Sequence, residues 1–140
     1  MTPKPSPDIL NMTFEERVAH PKPLLCLDFD GVIHRYSQGY KDGSIYDIPT
    51  PGAQEFILRA LNTFDIVIYS ARARTSEGKE EMRQWLHRHM FPTLSLPITC
   101  EKPPAFLTID DRVITFTGKW PDDPTMLLNF TSWNGIGWKQ

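Results

Sequence analysis

The chain has 140 residues, of which 40% are apolar and 23% charged, the size and balance of one soluble globular domain. Its 15 basic and 17 acidic side chains leave a formal charge of −2, which excludes nucleic-acid binding through a large basic excess but leaves room for a local basic groove. Two cysteines are too few for a disulfide framework, and no apolar run approaches the roughly 20 residues of a membrane span. The opening stretch MTPKPSPDIL lacks the apolar core of a secretory leader. The expectation is therefore a cytoplasmic protein, away from membranes, with buried and reduced thiols at Cys26 and Cys100.

Residues 1–22 read as an N-terminal arm. Pro3, Pro5 and Pro7 keep it extended, the run TFEE (residues 13–16) has a capping-box pattern, and Pro21 limits any helix to a couple of turns. Residues 23–140 read as one domain. The continuous apolar run LLCL (residues 24–27) predicts a strand buried on both faces, ending at Asp28, Phe29, Asp30 and Gly31. Residues 34–49 are polar, aromatic and rich in Gly and Ser, and predict a long loop. Thr50 as N-cap and Pro51 in the first turn predict a helix with Phe56, Ile57, Ala60 and Leu61 on its apolar face. Residues 65–70 predict a second buried strand. Thr75 or Ser76 then caps a helix with Met82, Trp85, Leu86 and Met90 on one face. Residues 94–100 predict a third strand, 105–109 a fourth and 113–116 a short fifth. From Gly118 onward the chain reads as an irregular wrap over the core, anchored by Trp120, Trp133 and Trp138.

Alternation of strands and helices predicts an α/β fold with a mainly parallel sheet. In such sheets ligands sit beyond the carboxyl ends of the strands. That rule selects Asp28 to Gly31, Ser70 to Arg72, and Asp110 to Arg112. Four carboxylates, Asp28, Asp30, Asp110 and Asp111, would then meet at one end of the sheet, where like charges repel unless a cation joins them. Mg²⁺ fits best, because it takes few carboxylates and keeps waters that a phosphate can replace. Ser70 can hydrogen-bond a phosphoryl oxygen. Lys102, just before the fourth strand, can place a positive charge on both nucleophile and phosphate. Each feature alone also fits a turn, a cap or a solvated side chain; their combination is what points to a site.

The order of these parts resembles the haloacid dehalogenase (HAD) superfamily of phosphotransferases. LCLDFDGVI (residues 25–33) looks like its first motif, IVIYS (residues 66–70) its second, Lys102 its third and LTIDD (residues 107–111) its fourth. The resemblance spans about residues 23–116. It implies a three-layer, Rossmann-like fold and a Mg²⁺-dependent phosphomonoesterase. Asp28 would be the nucleophile that becomes an aspartyl phosphate, and Asp30 the general acid and base. Mg²⁺ would be held by the Asp28 carboxylate, the Asp30 backbone carbonyl and Asp111, with Asp110 supporting Asp111. Ser70 and Lys102 would bind the phosphoryl group, Lys102 would also hold Asp28, and Gly31 would turn the chain and offer backbone N–H groups to the phosphate.

The gaps where HAD enzymes carry cap domains are short here, so the resemblance is to a capless member. SAR (residues 70–72), IDDR (residues 109–112) and SIYD (residues 44–47) are similar to stretches in the phosphatase domain of phage polynucleotide kinase/phosphatases, although Ala71 stands where that group has Gly. This implies a phosphorylated substrate such as a nucleotide or a nucleic-acid end, with Arg72, Arg74, Arg112, Arg35 and Lys41 near the rim. Those arginines equally fit ion pairs with the acids of the site. A HAD-like domain that binds phosphate or a partner without turnover is the alternative function, and monomer and homo-oligomer stay open. His20, His34, His87 and His89 show no metal-ligand spacing. Tyr36, Tyr40 and Tyr46 fit either base stacking or local packing.

Overall fold

A computed structural model describes Thr13 and residues 22–138. The predicted arm, except Thr13 and Lys22, lies outside the described residues. Lys22 donates from Nζ to the Leu61 carbonyl at 3.0 Å, tying the start of the domain to the far end of the first helix.

The described residues form an α/β unit around a four-stranded, all-parallel sheet. β1 (Leu24–Asp28) and β2 (Asp65–Tyr69) are its centre, paired from Leu24 with Asp65 to Asp28 with Tyr69. β3 (Ile98–Thr99) flanks β2, and β4 (Leu107–Ile109) flanks β1, giving the order β3-β2-β1-β4. Both central strands are continuous apolar runs because neither face meets water. On one face Leu25, Leu27, Ile66 and Ile68 pack against Ile57 and Ala60 of α1 (Ala53–Ala60), Leu61 just after it, and Met82, Trp85 and Leu86 of α2 (Ser76–Arg88). On the other face Leu24, Cys26 and Val67 form a smaller cluster with Tyr69 and Ala105. Cys26 is buried there, as expected, whereas Cys100 is only partly buried.

Several elements differ from expectation for local reasons. Thr50 does not cap α1. Its Oγ1 donates to the Val32 carbonyl at 2.6 Å, and Gly52, at φ 83°, occupies the N-cap without a side-chain bond. Phe56 and Met90 fall outside the apolar faces and are 48% and 81% exposed. Thr75 does cap α2, accepting from the Gly78 N–H at 3.0 Å. The third strand shrinks to two residues. Thr93–Ser95 turns as a 3-10 helix, and Pro97 has no N–H for the ladder, so pairing starts at Ile98. The predicted fifth strand is absent among the described residues: Val113, Ile114 and Phe116 are exposed and find no strand partner there. An apolar run of that length does not by itself distinguish strand from loop.

The C-terminal stretch wraps the core only in part. Residues 113–129, including the 3-10 helix Pro124–Asn129, are exposed throughout. The following residues turn back through a bridge between Thr131 and Gly137. Of the three tryptophans expected to anchor the tail, Trp133 hydrogen-bonds into the body, while Trp120 and Trp138 are 82% and 67% exposed. No helix among the described residues is long and apolar enough to cross a membrane.

Candidate active site

The carboxyl ends of β1, β2 and β4 lie side by side, so the residues beyond them converge. Asp28 ends β1, Ser70 comes directly after β2, and Asp110 and Asp111 directly after β4. One carboxylate oxygen from each of Asp28, Asp110 and Asp111 lies within 4.8 Å of the others, close enough to share one cation. Asp28 and Asp111 also act directly on one another. Burial, followed by the charge of Asp110 and the contacts with Asp111, pushes Asp28 up to about 8. Burial raises Asp111 as well. The cluster thus holds protons where isolated carboxyls would be ionised, as like charges brought together must.

Lys102 reaches this cluster through Asp110, with Nζ 3.5 Å from Oδ2, and lies 5.5 Å from the centre of the Tyr69 ring. Its ion pair is therefore with Asp110 and not, as expected, with Asp28. The other Asp110 oxygen accepts the Arg112 backbone N–H at 2.9 Å. Asp110 is thus held from both sides, while Asp111 faces Asp28 and Gly31. Gly31 has φ 87°, and a Cβ there would sit 2.0 Å from Asp111 Oδ2, so two independent constraints require glycine. The Gly31 N–H does not point to a phosphate site as expected. It donates to the His34 carbonyl at 2.8 Å and closes the loop on itself.

Asp30, expected to meet the other three carboxylates, is not part of that cluster. Its Oδ1 accepts from His34 Nδ1 at 2.8 Å, and Arg72 Nε donates to Oδ2 at 2.9 Å and Oδ1 at 3.2 Å. Burial alone would raise the Asp30 carboxyl, but the hydrogen bonds from His34 and Arg72 outweigh it and hold the group below its usual range. Arg72 is only 15% exposed, and its Nη1 donates to the Gly43 carbonyl at 2.5 Å. Of the two roles its sequence context fits, the ion pair with an acid of the site is present, and Arg72 also lines the neighbouring cavity. Arg112 is likewise engaged, donating from Nη1 to the Ile136 carbonyl at 2.9 Å.

Ser70 is buried, and its Oγ accepts the Arg72 N–H at 3.1 Å, which leaves the hydroxyl proton to donate. Beside it opens a cavity of about 510 Å³ lined by Asp28, Asp30, Ser70, Tyr36, Tyr40 and Tyr69 among others. Tyr46 is not available there. Its hydroxyl donates to the Gly39 carbonyl at 2.8 Å, and its ring stacks on Tyr36.

Three residues that support the site were not expected there from the sequence. His34 is fully buried between Asp30 and the Asp47 N–H. Trp85 Nε1 donates to the Asp47 carbonyl at 3.1 Å, and Trp133 Nε1 donates to the Gly31 carbonyl at 2.7 Å across 102 residues. The only sequence signal was the four-residue step from Asp30 to His34, which has no directional meaning outside a helix. Comparison of the chain with protein-family models, curated proteins and solved structures gives no match, so the chemistry of the site rests on its own residues.

Proposed function

We propose that this chain is a capless HAD-type phosphomonoesterase that works through an aspartyl phosphate and needs Mg²⁺. The observation that carries the reading is the convergence of Asp28, Asp110 and Asp111 at the strand ends, with Ser70 and Lys102 beside them. The three-layer form of that fold is part of the proposal, as is the lack of a cap. The segment between β1 and α1 is a loop, and that between β2 and β3 holds one α-helix and two short 3-10 turns.

Asp28, Asp110 and Asp111 have the oxygen donors and the spacing to hold Mg²⁺, which when bound would offset the repulsion between phosphate and carboxylates. The Asp28 carboxylate attacks phosphorus in line, and the bond from phosphorus to the leaving oxygen breaks. Asp30 gives that oxygen a proton. A water then attacks the aspartyl phosphate, with Asp30 taking its proton, and inorganic phosphate leaves. Arg72 and His34 keep Asp30 ionised at rest, which suits the second step; the first needs Asp30 to carry a proton and Arg72 to yield. Ser70 and Lys102 hold the phosphoryl oxygens.

The substrate class is a phosphomonoester of nucleotide size. The cavity has aromatic walls and room for such a body, while Arg72 and Arg112 are engaged within the protein.

The test is phosphate release from an aryl phosphate, mononucleotides and end-phosphorylated oligonucleotides, with Mg²⁺ and with excess chelator. Turnover should need the metal and vanish in Asp28→Asn. Release that persists in chelator, or no release from any of these substrates, overturns the reading; the second result leaves phosphate binding without turnover. Asp111→Asn should weaken the Mg²⁺ dependence more than Asp110→Asn, because both Asp110 oxygens already have partners.

A further inference from the structure

We infer that His34 is a positioning residue that aims Asp30 at the leaving group. The inference rests on the phosphatase reading and adds a residue to it. His34 is fully buried, with the rings of Phe29, Tyr46 and Trp85 centred 5.6, 5.3 and 5.6 Å away. Both of its ring nitrogens are committed. The Asp47 backbone N–H reaches Nε2 at 3.0 Å, and a backbone N–H can only donate. Nε2 is therefore the acceptor, the ring proton sits on Nδ1, and that proton points at Asp30 Oδ1, 2.8 Å away. The His34 backbone is held as firmly, donating to the Phe29 carbonyl at 2.9 Å and accepting from Gly31 at 2.8 Å.

The ring thus has one tautomer and one orientation, and Asp30 inherits both. Arg72 touches both Asp30 oxygens, but it must yield for Asp30 to carry a proton, and it then no longer fixes the carboxyl. His34 has no such conflict. The Nδ1–H holds Oδ1 whether Asp30 is ionised or protonated, leaving Oδ2 to carry the proton on a residue that lines the cavity. The link also ties the acid to the loop carrying Tyr36 and Tyr40, two walls of that cavity.

A buried histidine with only a packing role would, when replaced, lower activity on all substrates alike. A positioning role makes a different demand, because only poor leaving groups need the proton. The experiment compares an aryl phosphate with an alkyl phosphate in the wild type, Asp30→Asn, His34→Asn and His34→Gln. Asn can place a donor where Nδ1 stands, whereas Gln reaches past it toward Nε2. In His34→Gln, kcat/KM on the alkyl phosphate, which reports the steps through leaving-group departure, should fall at least about tenfold with little change in kcat/KM on the aryl phosphate, while the shared hydrolysis of the aspartyl phosphate slows kcat for both. His34→Asn should recover most of the loss, and Asp30→Asn should show the same selectivity in stronger form.

Equal losses of kcat/KM on both substrates, or equal losses in the Asn and Gln variants, overturn the inference while the phosphatase reading stands. An inactive wild type overturns both. A second measurement needs no substitution at the buried ring. ¹⁵N NMR of histidine-labelled wild-type protein should show one imidazole protonated at Nδ1 and bare at Nε2, with its Nδ1–H signal displaced in Asp30→Asn. The opposite tautomer, or a signal indifferent to Asp30→Asn, overturns the assignment even if a histidine variant fails to fold.

Discussion

Asp28 and Asp30 stand two residues apart on either side of Phe29, and the two halves of the site they belong to obey opposite electrostatics. Asp28 faces Asp110 and Asp111, so burial and like charge push it up to about 8. Asp30 is buried to a similar degree but faces His34 and Arg72, and it is held below its usual range. The Asp30 half is complete as it stands, each acceptor matched by a donor. The acid triad has Lys102 as its ion-pair partner among the described residues, bound to Asp110 alone, and reaches balance only with a further positive charge. A fold can therefore place two carboxylates two residues apart in sequence and raise one while lowering the other, by choosing what faces each.

The widest expected contrast is in the pH dependence of stability without divalent cations. Asp28 in the folded state binds a proton between its ordinary 3.8 and about 8, where the unfolded chain has released it. Stability should then fall as pH rises through that window, and the raised Asp111 acts in the same direction. His89, depressed by burial, works the other way near its ordinary 6.5, so the informative quantity is the difference between proteins. In Asp28→Asn the decline of the thermal midpoint should flatten, and Mg²⁺ should stabilise the wild type most at the alkaline end. Parallel melting curves for the two proteins across pH 4 to 8 would erase the contrast between the halves.

Gly31→Ala comes next. The left-handed backbone costs about 1–2 kcal/mol for a non-glycine residue, and the new methyl displaces the Asp111 carboxylate as well. Gly52 has nearly the same φ, 83°, with nothing within 4 Å of the place a methyl would take, so Gly52→Ala carries the backbone cost alone. Gly31→Ala should be the less stable of the two and should alone weaken Mg²⁺ binding, as read by calorimetry. Equal costs and equal metal affinities would mean that Asp111 moves aside freely.

Arg72→Ala should cost about 1.5–3 kcal/mol of stability at neutral pH, the worth of hydrogen bonds to a charged group. Asp30 has a depressed value, so the stability it contributes is present above its ordinary 3.8 and lost as pH falls through its folded value. The deficit of Arg72→Ala should therefore vanish in acid. Its activity should drop on mononucleotide and oligonucleotide alike; a loss confined to oligonucleotides would return Arg72 to the rim.

The central strands and the cluster at their ends were legible in the chain. LLCLD (residues 24–28) and DIVIY (residues 65–69) are apolar runs too short for helices, and a parallel sheet puts the residues beyond each of them at one edge. Asp28, Ser70, Asp110 and Asp111 could be placed together on that ground alone, and Thr75 marked the start of α2 through local hydrogen-bond chemistry. The pairings were not legible. Arg72 reaches back 42 residues to Asp30, Trp133 reaches back 102 to Gly31, and Lys102 takes Asp110 where Asp28 was expected. Val113 to Phe116 has the composition of a strand but no strand partner among the described residues, because pairing depends on which edge is within reach. Periodicity and capping act over a few residues and are written in the order of side chains, whereas the state of a charge depends on distances that exist only after the sheet has formed. The order of residues was therefore enough to bring Asp28, Asp110 and Asp111 together but not to separate Asp30 from them, while the folded chain set their surroundings, giving Asp28 other acids as neighbours and Asp30 its donors.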